Sequence, residues 1–270
     1  MRAIALEYHD IVADPDSDAS GFLGASAASY KIRHEDFASH LQVLDKHQGA
    51  GINVQQLSAN TSRSILFTFD DGGISAIDAI ARALEERNYI GHFFVVTSLI
   101  GKPGFCDPDH LRELHHRGHV VGSHTHSHPI RMSKLSDAEL IYEWKTSNDI
   151  LEECLGSPRL VASIPGGYYS PRVAHSAGQA GIRFLFTSEP IVRVKEVGGC
   201  LVLGRFTLRR SSRASEVSSL VGPLGAARTR QWATWNIKKV VKATIGGSYL
   251  KLRAAFFGEA RTRRGRDQLL

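Results

Sequence analysis

"ILFTFDDGGISAIDAIARAL", residues 65–84, holds one complete strand-to-helix unit. Its first five residues are apolar or β-branched without interruption, the mark of a strand buried on both faces. Asp70 and Asp71 end the strand and Gly72-Gly73 turn the chain. Ile74, Ile77, Ala81 and Leu84 then follow at 3-4-3 spacing, one stripe of a helix. The succession recurs along the chain. "IALEYH" (4–9), "HFFVVT" (92–97), "HVVGSH" (119–124), "RLVASIP" (159–165), "IRFLFTS" (182–188) and "CLVLGRFTL" (200–208) read as further strands. Helices are expected at 107–118, near 171–180 and near 213–221. Another spans 136–156, with a Ser136/Glu139 capping box, an apolar face of Leu140, Trp144, Leu151 and Leu155, and a stop at Gly156. Residues 13–30 read as a long surface loop. Apolar strands alternating with helices predict a parallel α/β sheet. About seven such strands predict a distorted (β/α) barrel over 1–222, followed by a basic, aromatic helical extension over 223–270.

The 270 residues are 42% hydrophobic and 22% charged, the balance of a globular protein. No run reaches the roughly 18–20 apolar residues that span a bilayer. "MRAIALEYHDIVADPD" does not read as a secretory signal, because Glu7, His9 and Asp10 interrupt its apolar part. Cys106, Cys154 and Cys200 are widely spaced and odd in number, the pattern of reduced core thiols. These features predict a cytoplasmic protein. The chain has 33 Lys and Arg against 27 Asp and Glu; residues 226–270 hold eleven basic and two acidic side chains, leaving 22 against 25 elsewhere. The basic character therefore belongs to the tail, which argues against nucleic acid as a partner of the main domain.

In parallel α/β folds reactive groups gather at the C-terminal ends of strands. Four expected strand ends are loaded with chemistry: Tyr8-His9, Asp70-Asp71, "SHTHSHP" (123–129) and Pro165-Gly166-Gly167. Each also has a plain reading. Asp-Asp-Gly can be a turn with one Asp capping a helix, and a histidine cluster can be a polar loop. The chemical reading combines them. Asp71, His124 and His128 would form a three-ligand set with open positions, as in a catalytic zinc site. The adjacent Asp70 would serve as general base toward a water that the ion acidifies.

"TFDDG" (68–72), "SHTHSH" (123–128) and "LEYHDIV" (6–12) together resemble the polysaccharide deacetylase family, carbohydrate esterase family 4 with its NodB homology domain, in order and spacing over about residues 1–210. The resemblance implies a distorted (β/α) barrel that hydrolyses N-acetyl groups of amino sugars with a divalent metal, Zn2+ first, with Co2+ or Ni2+ as alternatives. Carried over, Asp70 is the base and Asp71, His124 and His128 hold the metal. Thr125 matches the hydroxyl that orients the histidine loop, and His126 falls at a variable loop position.

Two family features are missing. The R-x-P-Y motif corresponds here to "SIPGGYYS" (163–170), with Ser163 for the arginine and Gly166 for the tyrosine. The Gly166 N–H can still donate to an oxyanion, and Pro165 and Tyr168 are expected beside the substrate. The family's late-strand histidine, the acid for the leaving amine, is also absent; "LVLGRFTLRR" (201–210) offers Arg205. Arginine cannot supply a proton near neutrality but could bind an anionic substrate group. His9 is then the substitute acid on position alone. The expected function is N-deacetylation of a polysaccharide or of its lipid- or nucleotide-linked precursor. A deformylase acting on a lipid-linked sugar and a glycan-binding relic of the same fold are the alternatives. The tail, 226–270, reads either as a helix packed on the barrel or as a peripheral contact with the anionic inner membrane face.

Overall fold

A computed structural model describes residues 1–17, 20–22, 24–47, 49–58 and 64–239. Among them the strands are β1 (Ala3–Tyr8), β2 (Asp10–Val12), β3 (Lys31–Arg33), β4 (Ser64–Phe69), β5 (Gly91–Val95), β6 (Val120–Ser123), β7 (Val161–Ser163), β8 (Phe184–Phe186), β9 (Lys195–Val197), β10 (Cys200–Leu203) and β11 (Arg205–Thr207). Nine of them form one sheet in the order β11-β1-β4-β5-β6-β7-β8-β10-β9, and β2 pairs with β3 separately. Every neighbouring pair in the large sheet is parallel except β9 with β10.

The expected single strand over 200–208 is broken, and the break closes the barrel. β10 pairs with β8 at one end of the sheet, whereas β11 pairs with β1 at the other. Gly204 is the joint. A Cβ there would lie 2.2 Å from the Glu189 carbonyl oxygen and 2.5 Å from Ile191 Cγ1, so a side chain has no room. With β10 and β11 counted as one position, the ring has the seven parallel positions expected of a distorted (β/α) barrel.

Helices cover the sheet: α1 (Ala25–Ala28), α2 (His34–Leu44), α3 (Ala79–Glu85), α4 (Pro108–His116), α5 (Asp137–Leu155), α6 (Pro171–Gln179) and α7 (Ala214–Val221). α5 starts at the Ser136/Glu139 capping box and stops at Gly156 in the left-handed conformation. The helix expected to start at Ile74 is split. Residues 74–76 make a 3-10 turn and α3 begins only at Ala79; the Ile74 N–H, which no intrahelical carbonyl could take, donates to the Gly104 carbonyl. The expected loop over 13–30 carries α1, and Phe22 tucks under Gly73 and beside Phe105. α2, β2, β3 and β9 are additions to the expected pattern. Residues 226–239 form a further helical stretch; the expected tail beyond 239 lies outside the described residues. No described helix is long and apolar enough to cross a membrane. All three cysteines are unpaired.

Candidate active site

β1 and β4 run in register from Ala3–Ser64 to Tyr8–Phe69, so His9 and Asp70 leave neighbouring strand ends side by side. Glu7, one residue before the end of β1, is opposite Thr207 of β11. These strand ends bring together groups far apart in the chain.

Asp70 is buried and held from two sides. Arg205 grips it with both ends of the guanidinium, Nη1 to Oδ1 at 2.7 Å and Nη2 to Oδ2 at 2.8 Å, the fork geometry that fixes a carboxylate in orientation as well as position. Ser163 Oγ donates to Oδ1 at 3.1 Å. Burial pushes the carboxyl pKa up, but Arg205 and then His124 outweigh it and hold Asp70 well below the usual carboxylate range. Arg205 Nη2 also lies 2.9 Å from Glu7 Oε1. The expectation that Arg205 binds an anionic group of the substrate is therefore corrected. The guanidinium is 0% exposed and its charge is spent on Asp70 and Glu7. Arg205 on β11 thus orients the Asp70 carboxylate.

Asp71, His124 and His128 converge as their spacing suggested, with one ligand atom from each mutually within 4.8 Å. His124 Nε2 is 3.3 Å and His128 Nε2 3.5 Å from Asp71 Oδ1. Two ligands about 2.1 Å from one ion at a near-tetrahedral angle stand roughly 3.4 Å apart, so the separations suit a shared cation. The hydrogen bonding agrees. His124 Nδ1 meets the Ser163 carbonyl at 3.1 Å and Ser163 Oγ at 2.5 Å. The carbonyl can only accept, so the imidazole proton is on Nδ1. The Nε2 lone pair then faces the Asp71 oxygen, an arrangement that repels unless a cation stands between them. Asp71 Oδ1 is buried without a hydrogen-bond partner. Burial alone would lower the His124 pKa; Asp70 and Asp71 raise it on balance, which is how a proton registers the same demand for positive charge. Burial and the His124 charge lower that of His128. Three carboxyl groups, Glu7, Asp70 and Asp71, surround the single guanidinium of Arg205, an acidic setting that suits a cation. The residues fit a metal.

The loop that carries the histidines is built from polar groups. The His128 N–H donates to Thr125 Oγ1 at 3.1 Å, and the Thr125 N–H to Ser123 Oγ at 3.1 Å. Ser123 Oγ in turn donates to Ser147 of α5 at 2.7 Å. Glu143, also on α5, accepts from the His126 and Ser127 N–H groups at 3.0 and 2.8 Å. His126 bonds Thr97 and stands outside the ligand cluster. Outside glycine, positive φ occurs among the described residues at Asp71, Asn88, Thr125 and His128. Three of these four belong to the site, so backbone strain is concentrated where ligands must be aimed.

Pro165, Gly166 and Gly167 form a single turn after β7, with Gly166 at φ 61° and exposed. Pro165, expected to touch substrate, is buried beneath the turn; it shapes the turn and offers no surface. Tyr168 is half-buried, with the Arg131 guanidinium 5.5 Å from its ring centre. His9 is half-buried against Tyr30, ring centres 4.5 Å apart. Its Nδ1 has no hydrogen-bond partner, and it reaches within 4.8 Å of Glu7 and Asp70.

Glu7, Ser163 and Glu143 are site-building residues that the motif reading passed over as such. Glu7 interrupts an apolar strand, and Glu143 sits on the apolar stripe of α5 between Leu140 and Trp144. A charge at a core position is the signal each gave.

Fold and site together define a parallel α/β barrel with a carboxylate–histidine cluster at its C-terminal rim. Residues 58–185 match the family described as polysaccharide deacetylase. It is 29% identical over 163 residues to the peptidoglycan-N-acetylglucosamine deacetylase PgdA of Listeria monocytogenes, covering 59% of this chain and 33% of that protein. The chain thus spans about a third of the length of that curated relative. In structure it is similar to the deacetylase PplD of Streptococcus pyogenes, with TM-score 0.69, 18% identity, and coverage of 83% of this chain and 99% of that one. IcaB of Ammonifex degensii gives TM-score 0.63 at 21% identity, covering 86% and 97%.

Proposed function

We propose that this barrel hydrolyses the N-acetyl amide of amino sugars in a polysaccharide or its lipid- or nucleotide-linked precursor. The observation that carries the reading is Asp70, clamped by Arg205 and Ser163 beside the Asp71–His124–His128 cluster. The deacetylase activity of the Listeria relative supports the same bond and sugar class. Asp71, His124 and His128 would hold a divalent ion, for which we propose Zn2+ on the imidazole-rich donor set. When bound, such an ion supplies Lewis acidity, polarising a carbonyl and lowering the pKa of nearby water.

The residues of the chain supply the rest. Asp70 stays ionised and takes a proton from the attacking water as its oxygen bonds to the acetyl carbon. Arg205 and Ser163 keep that carboxylate from rotating away, and Ser163 couples it to the ring of His124. The Gly166 N–H, at an exposed turn, donates to the developing oxyanion. His9, placed between Glu7, Asp70 and Tyr30, delivers the proton that lets the C–N bond break. Acetate and a free sugar amine leave.

The test is acetate release from a panel of N-acetylated oligosaccharides. Chelation should abolish it and added divalent ion restore it. Asp70→Asn should retain metal and lose turnover by about 10²–10⁴-fold, the usual contribution of a general base. Turnover at the wild-type rate in this variant would remove Asp70 from the mechanism.

We also propose a peripheral contact with anionic membrane. Leu224, Trp232 and Ile237 are exposed on and just before the helical stretch 226–239, among Arg228, Arg230, Lys238 and Lys239. Apolar and basic groups side by side are what an interfacial helix needs.

A further inference from the structure

We propose that Trp235, outside the matched family region, is an aromatic platform on which the sugar next to the reacting residue stacks; this rests on the deacetylase reading above. The helical stretch 226–239 is not a free appendage. It lies across the barrel end that carries the site. Gln231 Nε2 donates to the Thr207 carbonyl at 3.1 Å, at the end of β11, and Lys239 Nζ is 3.7 Å from Glu189 Oε1, just beyond β8. Between these anchors the indole reaches the Pro-Gly-Gly turn. A Cβ on Gly167 would lie 2.8 Å from Trp235 Cη2 and 2.8 Å from Ser188 Cβ. Gly167, at φ 66°, thus leaves the space that the ring tip fills, one residue from the Gly166 N–H. Ser188 continues the contact into the site, since its Oγ donates to Glu7 Oε1 at 2.8 Å. Trp144, a core residue, is fully buried, whereas Trp235 keeps part of its surface in solvent. A large planar ring held at the rim with an accessible surface suits the apolar C–H face of a pyranose, a contact that tolerates variation in the sugar's polar substituents.

The experiment measures binding and turnover of a tetramer of N-acetylglucosamine with the full-length chain, by calorimetry and by acetate release. Trp235→Leu retains an apolar contact with Gly167 but has no ring; Trp235→Phe retains a ring. We expect Kd and KM for the tetramer to rise about tenfold in Trp235→Leu and to return within about twofold of wild type in Trp235→Phe. Unchanged Kd in Trp235→Leu, a loss that Trp235→Phe does not restore, or no tetramer binding by the wild type would each overturn the platform. Acetate release with a Kd independent of Trp235 would leave the deacetylase reading standing alone. Trp235-dependent binding without acetate release would do the reverse.

Discussion

Arg205 serves two buried carboxylates at once, and the two cannot be satisfied separately. Removing its charge would leave Asp70 and Glu7 facing each other in a dry site, so Arg205→Met should destabilise the fold by about 3–5 kcal/mol, the cost of breaking a buried pair. Arg205→Lys keeps the charge but loses the fork. It should fold with smaller loss, yet turnover should fall on the order of 10²-fold, because a base displaced by about 1 Å costs that much. Denaturant unfolding and acetate release on the same samples check both. Wild-type turnover in Arg205→Lys would mean that the bidentate grip has no part in catalysis. At this scale the clustering of Asp70, Asp71, His124 and His128 was legible because their spacing is local. Asp70 and Asp71 are adjacent, and His124 and His128 lie within five residues. The function of Arg205 was not, because its partners stand 135 and 198 positions away in the chain and only the register of β11 on β1 brings them together.

Within the elements, β5 carries a second charge-sensitive point, outside the Asp71–His124–His128 cluster. His92 is fully buried; its Nδ1 meets the Phe67 carbonyl at 2.9 Å and its Nε2 accepts from the Val54 N–H at 3.0 Å. Both contacts use the neutral ring, and burial lowers the pKa to about 4. The unfolded chain, with an ordinary histidine pKa of about 6.5, binds this proton first as pH falls. Stability from His92 is therefore complete above pH about 6.5 and drains away toward pH about 4, by about 3 kcal/mol at most. His92→Gln, which can present a donor and an acceptor without titrating, should flatten that part of the profile in denaturant unfolding. An identical slope in the variant would assign the acid sensitivity to other groups. Strand cores such as "HFFVV" and the capped helix α5 were readable because their signals are continuous. The β2–β3 pair and β9 were not, since each strand is only three residues long and lies outside any continuous apolar run.

Across the described molecule, residues 226–239 lie against the barrel end that carries the candidate site. Trp232 and Ile237 point outward, so Trp232→Ser with Ile237→Ser should shift the unfolding temperature by no more than about 2 °C, as surface changes do. The same pair should weaken co-sedimentation with anionic vesicles, and the remaining binding should fall as salt shortens the Debye length from about 10 Å at 0.1 M to about 3 Å at 1 M. Vesicle binding that is unaltered by the pair would place the membrane contact elsewhere. The break at Gly204 also governs the order of events in biosynthesis. β1 leaves the ribosome first, but its outer edge has no partner until β11 follows about two hundred residues later. Until then Glu7 and Asp70 have strand neighbours but no guanidinium, and their mutual repulsion opposes drying of the rim. A chain that stops short of Arg205 therefore carries both carboxylates at the rim without the guanidinium that pairs them.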